Sequence, residues 1–127
     1  MFKKHQICEI LSVSEGTIPL LPNFPEKIDS QYLSNLVLYR KDDVLTWLCD
    51  VINTREGCKR YQGDIEKERV IRLSELIGIL KVSKSHIYAQ VENGHLPRPI
   101  KLGKRASGWL LSEINEILVQ SGLDEIA

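Results

Sequence analysis

The chain has 127 residues, 43% hydrophobic and 27% charged, with 17 basic against 17 acidic side chains. This composition excludes a disordered tail and, with no apolar run long enough to cross a bilayer, a membrane partner. The zero formal net charge also excludes nucleic-acid binding by bulk attraction, so any such binding must rest on a local patch. The length suits one ordinary domain or two very small ones.

Met1-Phe2-Lys3-Lys4-His5 carries charge without the apolar stretch of a secretory signal, and a cytoplasmic protein is expected. Ile7, Ile10 and Leu11 then mark an apolar helix face, followed by Val13-Ser14. The next segment, Glu15, Gly16, Thr17, Ile18 and Pro19 with Pro22 soon after, is short, acidic and limited by proline. From Lys27 to Tyr39 the chain offers Asp29, Ser30, Gln31, Ser34 and Asn35, with no basic tip. Asp42, Asp43, Val44 and Leu48 then fit a helix with an acidic first turn.

Residues 56–69 have linker composition, with Gly57, Gly63 and many charges, and a helix from Asp64 into Val70 would make the join rigid. Cys8, Cys49 and Cys58 form no C-x-x-C pair, so reduced thiols are expected, Cys8 and Cys49 as small core residues. A zinc site from His5, Cys8, Cys49 and Cys58 lacks finger spacing, and no metal is expected.

From Leu73 the pattern becomes explicit. Leu73, Leu76, Ile77 and Leu80 stand at i, i+3, i+4 and i+7, the spacing that lines one helix face. Lys81-Val82-Ser83 breaks it, and Ser83 suits the N-cap of a second helix starting at Lys84. Ile87 and Val91 face inward, which leaves Lys84, Ser85, Tyr88, Ala89 and Glu92 outward, and Asn93-Gly94 ends the helix. Two short helices joined by a tight turn are the helix-turn-helix arrangement. Pro97 and Pro99 then forbid helix, Ile100 and Leu102 alternate with Lys101, and Gly103 is read as the residue that turns the chain at Lys104 and Arg105. Gly108-Trp109 returns it, completing a β-hairpin wing with a basic tip. Ser112 is read as the cap of a last helix with Glu113 in its first turn and Ile114, Ile117 and Leu118 inward.

The two halves align with each other. Val82-Ser83 falls on Val13-Ser14 at an offset of 69 (82 − 13), and at that offset Ile71 meets Phe2, Leu76 meets Ile7, Ile79 meets Ile10, Leu80 meets Leu11 and Ile87 meets Ile18. Leu96-Pro97 pairs with Phe24-Pro25, and Trp109 with Tyr39 at an offset of 70 (109 − 39). Ser112, Glu113, Ile114 and Leu118 follow on Asp42, Asp43, Val44 and Leu48. The expected fold class is therefore mainly α with small β-hairpin wings, as two tandem winged helix-turn-helix units: residues 1–55, a degenerate copy; 56–69, a linker; and 70–127, the DNA-binding copy.

The run from Ile71 to Leu118, RLSELIGILKVSKSHIYAQVENGHLPRPIKLGKRASGWLLSEINEIL from its second residue, resembles the AlpA family of phage-type regulators, relatives of the excisionases and of the MerR-like winged helices. The likeness lies in the apolar first helix, the V-S-x-S-x-I-Y start of the recognition helix, the G-x-x-P-x-P-x-x-L-G-x-R wing and the G-W ahead of a final helix. Family members commonly carry glycine where Lys81 stands and arginine where Ala89 stands. The resemblance implies a DNA-binding regulator of prophage or mobile-element type, without enzymatic activity or a cofactor.

Charge agrees locally. Lys81, Lys84, Arg98, Lys101, Lys104 and Arg105 face Glu92 alone between residues 81 and 105. The expected DNA-contacting residues are Lys81, Ser83, Lys84, Ser85, His86, Tyr88, Arg98, Lys101, Lys104 and Arg105, with Lys84, Ser85 and Tyr88 in the major groove and the wing on phosphate or minor groove. A brace between Arg105 and Glu113 is the plainer role for Arg105. No catalytic residues are expected, since His5, His86 and His95 stand apart and no phosphate loop or activated nucleophile is present. The first copy is expected to contact the second copy, a sister protomer in a homo-oligomer, or another protein partner, or only to add core; Lys3, Lys4, Arg40 and Lys41 leave it a route to DNA. An excisionase-like architectural factor and a protein-binding adaptor remain the alternative functions.

Overall fold

The structure, a computed structural model, describes residues 1–33 and 36–127. Ser34 and Asn35 of the Lys27–Tyr39 region lie outside the described residues.

Strand β1 (Phe2–Lys3) leads into helix α1 (Lys4–Leu11), which ends at Ser12 in the left-handed conformation (φ 55°). A 3-10 helix, Glu15–Leu20, stands where a second helix would lie, as its length and Pro19 require. After another 3-10 turn at Gln31–Leu33, β2 (Leu38–Tyr39) pairs antiparallel with β1, and α2 (Lys41–Asn53) closes the first half. The second half likewise begins with a strand and a helix and ends with a strand and a helix: β3 (Val70–Ile71), α3 (Leu73–Leu80), α4 (Lys84–Glu92), β4 (Ile100–Gly103), β5 (Ala106–Leu110) and α5 (Leu111–Gln120). Strands β3, β5 and β4 form one antiparallel sheet with β5 central.

The geometric correspondences extend to single residues. Helix α3 begins and ends 69 positions after α1 (73 − 4 and 80 − 11), and Lys81, its left-handed C-cap at φ 55°, stands 69 after Ser12. Phe2 pairs with Tyr39, and Ile71 with Trp109, the same partners in both copies of the alignment. The halves differ in the wing: among the described residues the first half has no counterpart of the β4–β5 hairpin.

Alternation along the three-stranded sheet sends its two faces to different cores. Val70, Ile100, Leu102 and Leu110 join the core of the first half, with Ile7, Leu11, Ile18, Val44, Leu48 and Ile52. Ile71 and Trp109, on the other face, pack with Leu76, Ile87, Leu96, Ile114 and Leu118. The sheet is thus a partition between the halves, covered on both faces at β3 and at the end of β5, while Lys101 of β4 stays exposed. In the first core Phe24 meets Tyr39 and Trp47 edge-on, at centroid distances of 5.6 and 4.9 Å. Trp47 Nε1 donates to the Pro22 carbonyl at 3.0 Å, and Trp109 Nε1 to that of Pro97 at 2.8 Å.

The join docks on this body. Instead of a helix from Asp64 to Val70 there is a 3-10 turn, Ile65–Lys67, and then β3, because strand pairing with β5 claims Val70 and Ile71. Glu68, the buried carboxylate between them, accepts from Tyr61 Oη at 2.5 Å, from Ser112 Oγ at 2.5 Å and from the Ser112 backbone N–H at 3.1 Å. Ser112 is therefore not the cap of α5. The N-cap position belongs to Leu110, and a carboxylate 44 residues upstream satisfies the exposed N–H instead. Arg55 Nη1 and Nη2 bind the Glu113 carboxylate at 2.7 and 3.3 Å. At the C-terminus, Asn115 exchanges two hydrogen bonds with the backbone of Ile126, which docks the tail while Leu123 stays exposed.

Candidate nucleic-acid interface

Helix α3 presents Leu76 to the core, and α4 begins where Ser83 Oγ accepts from the His86 N–H at 3.1 Å. Ile87 anchors α4 by complete burial, which fixes the opposite face outward: Lys84, Ser85, His86, Tyr88, Ala89 and Glu92 are all exposed. Lys81 and Ser83 are exposed at the turn before it. Tyr88 is 38% exposed, and its ring lies 6.3 Å from that of Trp109, so the core indole supports one edge of this surface. Gly94, at φ 79°, ends the element as its position implies.

Lys104 and Arg105 occupy the exposed tip between β4 and β5. Gly103 does not turn the chain there: its φ is not positive, and it lies in β4 opposite Ala106. Its missing side chain serves packing instead, because a Cβ would stand 3.3 Å from Leu21 Cδ2 and 3.5 Å from Pro22 Cδ. Gly108 is a second close approach, since a Cβ there would come within 2.7 Å of the Ile71 carbonyl oxygen. The wing is thus seated on the 3-10 segment of the first half.

The ten expected residues are exposed, but they do not form one group. Lys81, Ser83, Lys84, Ser85, His86 and Tyr88 share α4 and its approach. Lys104 and Arg105 line a cleft of about 520 Å³ together with Thr17, Leu20, Leu21 and Arg72. Lys101 instead lines a groove with Asp43 and Asp50 of α2. Arg98 is exposed at the root of the hairpin, its carbonyl accepting from Arg55 at 3.1 Å. Glu113, the expected brace for Arg105, is held by Arg55, whose long side chain reaches it from the end of α2.

Arg72 and the Thr17–Leu20 segment were not legible as neighbours of the wing. Arg72 precedes α3 and donates to the Ser12 carbonyl at 3.3 Å, a contact between halves that no local pattern announces. Cys8 and Cys49 are half-buried, as small core residues are, and burial pushes both thiols up from the ordinary cysteine range. No helix among the described residues is long and apolar enough to cross a membrane.

A family model described as "Prophage CP4-57 regulatory protein (AlpA)" matches residues 69–121. The chain is also similar to an uncharacterized protein, ORF88, of Enterobacteria phage P4, with 35% identity over 51 residues, 40% of this chain and 58% of that protein. No solved structure matches. The matched stretch spans β3 through α5, the helix pair and wing just described, so it is over this C-terminal part that the chain is similar to the AlpA family of phage-type regulators.

Proposed function

We propose that the chain is a sequence-specific, double-stranded DNA-binding regulator of phage or mobile-element type, built as two tandem units of which the second reads DNA. The observation that carries this reading is α4: a capped helix anchored by Ile87, with a polar and basic face free of the rest of the fold, inside a segment matched by a phage regulator family. Lys84, Ser85 and Tyr88 enter the major groove, flanked by Lys81, Ser83 and His86 on the backbone. Lys104 and Arg105 reach phosphate or the adjacent minor groove from the wing tip. Arg98 lends charge near the hairpin root. Lys101, facing Asp43 and Asp50, drops out of direct contact. The matching left-handed caps and strand registers of the two halves support the tandem architecture.

A protein of this kind acts by occupancy and needs neither cofactor nor catalytic group. Selection from randomised duplexes tests it: the intact chain should enrich one motif, and Lys84→Ala or Ser85→Ala should change the enriched bases, each lost bidentate contact costing about 1 to 3 kcal/mol. An unchanged motif with both variants would remove α4 from the groove. Mapping bound sites in a host genome then separates promoter occupancy from repeated sites at an attachment region, the pattern of an excisionase-like factor.

A further inference from the structure

The cleft between the wing tip and the 3-10 segment joins residues from both halves. Arg72, Lys104 and Arg105 supply three cations to its lining, and no acidic side chain lines it. None of the three is paired with a carboxylate among the described residues. On the facing wall stand Thr17, Leu20 and Leu21. Leu21 is buried beneath Gly103, which fixes the wall, whereas Leu20 is 76% exposed at its rim. Pro19 and Pro22 on either side limit the backbone, so Leu20 is held out of the fold by a stiff support.

We infer that the first half takes part directly in DNA binding, one strand of the duplex entering this cleft with its phosphate on Arg72, Lys104 and Arg105 and its sugar edge against Leu20. This rests on the DNA-binding reading above and extends it to Arg72, within the family-matched segment, and to Leu20 of the first half, outside it. Unpaired cations on a concave wall suit a polyanion, and an apolar side chain beside them suits the sugar and base edges of a minor groove. Glu15, in the same 3-10 segment, is not among the lining residues.

The test uses the full chain and a duplex carrying its selected motif, with affinity measured against salt concentration. Arg72→Gln should lower the salt slope by about one unit. Leu20→Glu, which places a carboxylate at the rim, should weaken binding roughly tenfold or more, by like-charge repulsion of the phosphates and the loss of the apolar contact to the sugar edge. Both variants should enrich the same bases as the unmodified chain, because α4 is untouched. Leu20 is exposed, so its variant should keep the parent's melting temperature, and Arg72→Lys should restore most of the slope. Parental slope and affinity in both Arg72→Gln and Leu20→Glu would overturn the cleft while leaving α4 as the reader. Failure of the unmodified chain to bind any duplex at low salt would overturn both readings.

Discussion

Arg55, just beyond α2, and Glu113, in the first turn of α5, form a two-pronged ion pair that ties the halves together, with Arg55 Nε also donating to the Ile52 carbonyl at 3.2 Å. The Arg55 side chain is only 5% exposed. Removing its partner would leave a nearly buried guanidinium without a counter-charge, and that is costly even where the pair itself adds little. Glu113→Gln should therefore lower unfolding stability by about 1 to 2 kcal/mol, discounted for the partial exposure of Glu113. Arg55→Lys should fail to replace the fork, because a single ammonium cannot meet both carboxylate oxygens and the two carbonyls at once. Urea unfolding of the singles and the double variant measures the coupling; additive losses would mean that the pair does not join the halves energetically.

Tyr61 gives a pH dependence with a definite sign. Burial, reinforced by its hydrogen bond to the Glu68 carboxylate, pushes its phenol far above the usual tyrosine value of 10.0. The folded chain then holds a proton that the unfolded chain releases, so the stabilisation is complete below the unfolded value and falls as pH rises past it. Above pH 10 the loss should approach about 1.4 kcal/mol per pH unit from this group. Tyr61→Phe should start less stable at neutral pH, through the lost bond to Glu68, and then decline more gently. Parallel alkaline profiles for the two proteins would mean that Tyr61 titrates freely.

Lys81 joins stability to binding. It occupies the left-handed C-cap of α3 at φ 55°, where a side chain is strained and glycine is not. Lys81→Gly should stabilise the chain by about 0.5 to 1 kcal/mol. As Lys81 is also exposed beside α4, the same change should weaken binding to all duplexes alike if its ammonium meets phosphate. A thermal melt and a salt titration of one variant read both effects. Stabilisation without weakening would assign Lys81 to the turn alone.

What could be read from the chain alone was whatever local chemistry dictates. The i, i+3, i+4, i+7 run of α3, the Ser83 cap, Gly94 and the alternation about Lys101 each signal their structure within a few residues, and α3, α4 and the hairpin appear where they point. Contacts between the halves carry no such signal. Ile100 and Leu102 look alike whether they face their own helices or a foreign core, Arg55 sits in a stretch of linker composition, and Glu68 looks like one more surface charge. Ser112 was a reasonable cap by residue type, but a buried carboxylate from the join took its N–H and its hydroxyl. Gly103 suggested a turn because glycine often makes one, whereas the packing of Leu21 against β4 is what its small size accommodates.

The partition sheet decides how far the halves can live apart. If residues 1–55 were removed, the second core of Ile71, Leu76, Ile87, Trp109, Ile114 and Leu118 would keep its own members. The opposite face, Val70, Ile100, Leu102 and Leu110, would lose the first half that covers it. Each such aliphatic side chain is worth about 1.5 to 3 kcal/mol when fully buried, and together they would form an exposed apolar strip on a short sheet. Residues 56–127 alone should therefore elute as aggregates or as a poorly dispersed, loosely folded species. Ile100→Thr with Leu102→Thr keeps strand propensity while making the strip polar, and should return the fragment to a monomer with a dispersed amide spectrum. The same pair of changes in the intact chain should be strongly destabilising, because there the two positions are interior. Size-exclusion chromatography and proton–nitrogen spectra of the four proteins distinguish the cases: an unmodified fragment that is already monomeric and well dispersed would show that the second half needs nothing from the first for its fold.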